Sequence, residues 1–164
     1  MAATVGGVVD DTDLRIHLLG VFHVGVASRH VDDTAWRLKR PAALVKLLAL
    51  AEGHRLHREQ VMDRLWPDLD PKAAAANLRK AVHLARRALD QDEGARWLRS
   101  EGDLLALPRD AWVDVDAFDS AASDARRSGD LKVYRAALEL YTGDLLPEDR
   151  YEEWVGPRQD ELRT

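Results

Sequence analysis

The run from Pro71 to Leu89 constrains the fold most strongly, because it predicts one long helix with two chemically different faces. Asp70 is a candidate N-cap, and Pro71 takes the first helical position, where a missing N–H costs no hydrogen bond. Four consecutive alanines, followed by leucines and arginines, favour the helix. At about 100° per residue the apolar side chains share one face, which is predicted to pack on a core. They are Ala74, Leu78, Ala81, Val82, Ala85 and Leu89.

The opposite face of this predicted helix is basic. It carries five lysines and arginines, and no acid occurs between Pro71 and Leu89. Solvated faces normally mix both signs, because like charges four residues apart repel each other. A purely basic face therefore indicates contact with nucleic acid, and an acidic protein partner or a solvated face are the alternatives. The face comprises Lys72, Ala76, Arg79, Lys80, His83, Arg86 and Arg87, with Leu84 near its border.

Charge is unevenly distributed along the 164-residue chain, whose formal net charge is −5. Residues 1–13 carry a net charge of −3, residues 14–112 of +4 and residues 113–164 of −6. This asymmetry indicates a basic module joined to an acidic module with a different partner. The chain has no cysteine, which excludes disulfides and thiolate zinc sites. No secretory signal and no apolar run of roughly 20 residues is present, so we expect a cytoplasmic protein that does not enter a membrane.

The elements predicted up to residue 112 are, in order, a small antiparallel sheet, three helices and a hairpin. The basic helix is the third helix, so this order is that of a helix-turn-helix followed by a wing. Residues 1–13 are expected to be a disordered lead-in. The predicted bounds are strands 14–20, 21–26 and 36–38, helices 42–51, 57–66 and 71–89, and hairpin strands 96–99 and 104–107 joined by a turn at 101–103.

Residues 113–164 predict a second, all-α domain. Asp116 is the expected cap of its first helix, and Gly156-Pro157 is expected to kink or interrupt its third. Paired helices of about a dozen residues are typical of a helical-repeat array. The last helix has no partner helix in the sequence, so we expect a fragment of a longer protein. The predicted bounds are 117–128, 131–141, and 148 or 149 to the end of the chain.

Three segments carry a resemblance to a known family. They are residues 58–68 (REQVMDRLWPD), residues 73–89, which end in ARRAL, and residues 112–118 (WVDVDAF). Together they resemble bacterial transcriptional activators of the Streptomyces antibiotic regulatory protein (SARP) family and related large regulators. The resemblance covers about residues 14–164. No single segment decides it, but the order and spacing of all three are specific.

The resemblance implies an α+β fold: an OmpR-type winged-helix DNA-binding domain at 14–112, and a bacterial transcriptional activator domain of tetratricopeptide-like helices at 113–164. It also implies binding to direct repeats in promoter DNA, often by side-by-side protomers, and recruitment of RNA polymerase. Larger members carry an ATPase, but this sequence has no Gly-x-x-x-x-Gly-Lys-Ser/Thr phosphate loop. In the wing, Gly102-Asp103-Leu104 stand where glycine-tyrosine-arginine is usual.

A helix of this kind in a major groove predicts a division of labour along its basic face. Base edges would be met by Lys72, Ala76, Arg79, Lys80 and His83, whereas Arg86 and Arg87 would grip phosphates. Four further lysines and arginines are candidate contacts to the DNA backbone. An ordinary solvated side chain is an equally good interpretation of each. These are Lys39, Arg40, Arg96 and Arg99.

Other functions have less support in the sequence. No carboxylate pair or serine lies in a catalytic context, so we predict no enzyme, cofactor or metal. The competing hypothesis is a protein-interaction adaptor whose acidic helices bind a partner while the winged helix docks on protein. His54 and His57 are expected to be loop imidazoles and not metal ligands. Asp114, Asp116 and Asp119 are expected to be a helix cap and solvated acids and not a cation site. Trp66 and Trp112 are expected to be core or domain-junction residues and not stacking platforms.

Overall fold

The computed structural model of the chain describes residues 14–27, 29–90 and 97–163. Within these ranges the fold is mixed α+β, with six α-helices and seven short strands. The described residues divide into two compact units. Unit 1 contains Leu14 and Gly25–Ala111, and unit 2 contains Arg15–Val24 and the residues from Trp112 onward.

Three helices build the core of unit 1: α1 (Lys39–Leu50), α2 (Arg58–Leu65) and α3 (Pro71–Leu89). Each contacts the other two. The sequence predicted all three, and α3 has the predicted bounds. Helix α1 begins three residues earlier than predicted, without a side-chain cap. Buried side chains on these three helices include Leu44, Leu48, Val61, Leu65, Leu78 and Leu89.

A three-stranded antiparallel sheet completes unit 1 around these helices. It consists of β4 (Arg55–His57), β5 (Arg99–Glu101) and β6 (Leu104–Ala106), in the order β4-β6-β5. Strands β5 and β6 form the predicted hairpin, but β5 spans Arg99–Glu101 where a strand at 96–99 was expected. Gly102 at the turn has φ +63°, which a glycine adopts without strain. Strand β4 was not predicted. It lies between α1 and α2 and pairs with β6 through Leu56 and Leu105.

Two more strands, β2 (His23–Val26) and β3 (Arg29–His30), pair antiparallel through Gly25 and His30, and this paired part of β2 belongs to unit 1. The predicted strand at 36–38 was wrong. A 3-10 turn spans Asp33–Trp36 because the Asp32 carboxylate accepts the Thr34 N–H at 2.9 Å and starts a helical turn there.

Unit 2 combines one parallel strand pair with three helices. Strand β1 (Leu14–His17) pairs in parallel with β7 (Trp112–Val113), so the prediction of a purely antiparallel sheet was wrong. The helices are α4 (Asp114–Ser128), α5 (Leu131–Leu140) and α6 (Gly156–Arg163). Helices α4 and α5 pack against each other as a helical hairpin. Gly129, whose φ is +67°, ends α4 at the turn between them.

Asp114, the first residue of α4, binds the backbone that directly follows β1. The Asp114 carboxylate is 3% exposed and accepts the backbone N–H groups of Leu18 at 2.9 Å and Leu19 at 3.0 Å. The expected cap at Asp116 was wrong, because α4 begins at Asp114 after Val113, which makes no side-chain cap bond. These contacts explain why residues 15–24, which the sequence assigned to the first domain, belong to unit 2.

The last helix also differs from its prediction. A helix starting at 148 or 149 was expected, but only a 3-10 turn, Pro147–Asp149, lies there. Helix α6 begins at Gly156, so Gly156-Pro157 opens a helix where a kink or interruption was expected. Gln159 anchors this helix by donating its amide N–H to the Leu145 carbonyl at 2.6 Å.

Candidate nucleic-acid interface

Helix α3 is held firmly at both ends. The Asp70 carboxylate accepts the Ala73 N–H at 2.8 Å, and Pro71 occupies the first turn, as the sequence predicted. At the other end, the Arg29 guanidinium donates to the Leu89 carbonyl at 2.7 Å, which satisfies one of the free carbonyls of the last turn. The 19-residue helix is about 28 Å long at 1.5 Å per residue.

The predicted separation of α3 into two faces is confirmed. All six residues assigned to the apolar face are buried, and they pack against α1 and α2. Six of the seven residues assigned to the basic face are exposed, and Arg86 is half-buried. The exposed six are Lys72, Ala76, Arg79, Lys80, His83 and Arg87.

Arg86 has a different environment from the one predicted for a phosphate contact. Its Nε donates to the Leu98 carbonyl at 2.9 Å, and its Nη2 donates to the Ser100 hydroxyl at 3.0 Å. Burial lowers the pKa of Arg86, and the neighbouring Arg58 guanidinium adds to this effect. Arg86 therefore links the basic helix to the hairpin, with part of its hydrogen-bonding capacity already used inside the protein.

Arg58 is a basic residue of this surface that sequence reasoning missed. It is the first residue of α2, and its Nη2 donates to the same Ser100 hydroxyl at 3.0 Å. The signal available in the sequence was the capping pattern before it: His57 caps α2, and the Gln60 side chain accepts the His57 N–H at 2.9 Å. That pattern places Arg58 at a helix start but does not reveal its partner in the hairpin.

The predicted backbone contacts lie at separate places in unit 1. Lys39 and Arg40 begin α1 and line a pocket of about 260 Å³ together with Lys80 of α3. Lys39 is exposed, whereas Arg40 is half-buried and its Nη1 has no hydrogen-bond partner among the described residues. Arg99 is exposed on β5. Arg96 lies outside the described residues.

The tip of the hairpin carries two acids. Glu101 pairs with Arg55 of β4 at 2.8 Å, and Asp103 lies 4.0 Å from the His57 imidazole. A carboxylate-bearing tip is unfavourable close to phosphates, whose negative charge it would repel. The two acids therefore disfavour a close contact of this turn with a minor groove.

The histidines before α2 and the tryptophan of β7 have defined surroundings. His57 caps α2, and its ring accepts the Glu59 N–H at 3.4 Å, whereas His54 is buried at the end of a 3-10 turn, so neither is the loop imidazole that was expected. Trp112 is half-buried, with the Arg15 guanidinium 4.6 Å from its ring centre.

In the part of the chain that the structure describes, no three His, Asp or Glu side chains cluster closely enough to hold a metal ion. No helix there combines the length and apolarity needed to cross a bilayer.

Comparison with known proteins supports the fold. The chain is similar in structure to Mycobacterium tuberculosis EmbR, solved in complex with a low affinity phosphopeptide, with a TM-score of 0.72 and 19% sequence identity. The alignment covers 92% of this chain and 41% of that chain, so this chain spans less than half of the protein that it resembles. No family model and no curated protein sequence matches the chain. At this identity the likeness shows a shared fold.

Proposed function

We propose that the chain is a sequence-specific regulator of transcription that binds double-stranded DNA through α3. The observation that carries the proposal is the exposed face of this helix, which is basic from Lys72 to Arg87 and holds no carboxylate. The shared fold with EmbR and the three SARP-like segments support the same conclusion.

The dimensions of α3 suit a major groove. A helix with its side chains is about 10–12 Å across, and the groove of B-DNA is about 12 Å wide. Asp70 and Pro71 fix the start of the helix, and the buried face fixes its rotation, so the basic side chains are presented without rearrangement. Binding therefore loses little conformational entropy in the backbone.

The proposed roles follow position along the helix. Lys72, Ala76, Arg79, Lys80 and His83 meet base edges; an arginine or lysine there can bond guanine O6 and N7, and Ala76 can contact a thymine methyl group. Arg87 binds a phosphate and fixes the register, because it lies about 12 Å along the helix from Arg79. Lys39, Arg40 and Arg99 are further proposed backbone contacts.

The two parts of the chain have different proposed partners. Residues 14–112 act as a winged-helix DNA-binding domain of the OmpR type, and residues 113–164 belong to an activator domain of tetratricopeptide-like helices. The partners are promoter DNA with direct repeats, bound by side-by-side protomers, and RNA polymerase. The net charges of +4 and −6 of these two segments are consistent with a nucleic-acid partner for the first and a protein partner for the second.

Two substitutions in α3 test this assignment of roles on DNA selected from a random pool. Arg79→Ala is expected to cost roughly 1–3 kcal/mol on the selected site and to relax preference at one base pair. Arg87→Ala is expected to weaken binding to all sequences alike and to flatten the slope of log affinity against log salt by about one unit. Arg135→Ala, an exposed arginine of α5, serves as the charge-matched control. Equal losses for both α3 variants on selected and random DNA would contradict the division of roles.

One observation favours a protein partner as a second candidate function. Helix α5 exposes Leu131 and Leu138, at 71% and 66%, with Tyr134 between them at 40%. Their spacing places all three near one face of the helix. An adaptor that binds protein through this face, with no affinity for DNA at about 50 mM salt, would replace the leading proposal.

A further inference from the structure

A pocket of about 250 Å³ lies where α3 meets the start of α2 and strand β5. It is lined by four arginines, one histidine and one serine, together with Val82. Among the residues that the structure describes, no carboxylate lines it. The polar residues are Arg58, Arg79, Arg86, Arg87, His83 and Ser100.

The Ser100 hydroxyl is the point at which two of these cations converge. Arg58 Nη2 and Arg86 Nη2 each donate to its oxygen at 3.0 Å. This oxygen is a neutral acceptor, so it orients both guanidinium groups without neutralising either charge. With both lone pairs used, the hydroxyl proton remains available as a donor.

The two hairpin acids nearest to Ser100 in sequence lie against other side chains. Glu101 follows Ser100 directly but binds Arg55 on the neighbouring strand at 2.8 Å, and Asp103 lies near His57 at 4.0 Å. Arg58 and Arg86 thus share one neutral acceptor, and the pKa of Arg86 is lowered first by burial and then by repulsion from the Arg58 guanidinium. An anion placed between them would remove this repulsion.

We propose that the pocket binds a single phosphate group of a DNA backbone and clamps it between α3 and the hairpin. Forked guanidinium donors match the geometry of phosphate oxygens, and the Ser100 hydroxyl adds a further donor. The inference rests on the proposed function and names a backbone contact that α3 alone does not provide. It assigns the pocket contact to Arg58 and Ser100, with Arg86 as the residue that positions them.

The first test uses inorganic phosphate, without DNA. Arginine Nε–H signals are followed by NMR during a phosphate titration at constant ionic strength, in the wild-type chain and in Arg58→Gln, Ser100→Ala and Arg64→Gln. Arg64 is an exposed matched control on α2, about 240° round the helix from Arg58. A saturable shift of the Arg86 signal is expected in the wild type and in Arg64→Gln, with affinity at least about tenfold weaker in Arg58→Gln and Ser100→Ala.

The second test uses duplex DNA over a salt series. Arg58→Gln is expected to weaken binding to selected and random DNA by a similar factor and to flatten the salt slope by about one unit, whereas Arg64→Gln leaves it unchanged. If DNA binds as proposed but Arg58→Gln alters neither the salt slope nor the phosphate titration, the pocket inference is wrong and the proposed function stands. If phosphate binds but duplex DNA does not, the pocket serves another phosphate ligand, and both the DNA clamp and the proposed function are overturned.

Discussion

Replacing Asp114 tests the contact that attaches residues 15–24 to unit 2. Its buried carboxylate accepts two backbone N–H groups, at 2.9 and 3.0 Å, from Leu18 and Leu19. Asp114→Ala leaves both N–H groups without an acceptor, and each such loss costs about 1–3 kcal/mol. We therefore expect the free energy of unfolding to fall by about 2–6 kcal/mol. Asp114→Asn keeps one acceptor oxygen and is expected to lose about half of that amount.

The assay combines urea unfolding, followed by circular dichroism, with amide hydrogen exchange at Leu18 and Leu19. Exchange reports on the two bonds directly, which matters because a chain of two units need not unfold in one step. Asp116→Ala is the matched control: this exposed acid lies in the same first turn and is expected to cost less than about 1 kcal/mol. If Asp114→Ala behaved like Asp116→Ala and left both amides protected, the reasoning about this contact would be refuted.

The remaining predictions concern the support of α3 and the effect of pH. Leu78→Ala is expected to cost about 2–5 kcal/mol in urea unfolding, because Leu78 is fully buried beneath the basic face, whereas the exposed Asn77→Ala stays within about 0.5 kcal/mol. Burial lowers the pKa of His17 below its ordinary value of 6.5, despite the opposing Asp114 carboxylate. The unfolded chain therefore binds this proton more readily, and stability is expected to fall as the pH drops from 6.5 through the folded-state pKa. His17→Gln should remove that part of the pH dependence, and an unchanged profile would contradict the assignment.

Local signals in the sequence were sufficient for α3 but insufficient for the sheets. Asp70, Pro71 and the apolar period all lie within the helix or next to it, so its bounds were predicted correctly. Strand β4 has only three residues and is recognisable only through its pairing with β6 in the later hairpin. The parallel pairing of β1 with β7 is likewise a contact between distant segments.

In the candidate site, too, the local sequence predicted some features, whereas others depend on tertiary contacts. The exposed positions of α3 follow from a period of 3.6 residues, which a sequence displays directly. The bonds of Arg86 to Leu98 and Ser100 depend on where the hairpin packs, and the role of Arg58 depends on the same contact. Sequence reasoning therefore placed Arg86 with the phosphate contacts, although its guanidinium is already held by the protein.

The exposed face of α3 can be located on DNA most directly by cleavage from a single attached reagent. Because the chain has no cysteine, Ala76→Cys provides one unique attachment point for an iron chelate that cleaves DNA nearby, and Ser120→Cys on α4 provides a control. We predict cleavage within the selected binding site from the Ala76→Cys protein, and none there above background from the control. A protein that binds the site fully but cleaves no DNA from position 76 would contradict the claim that α3 lies in the groove.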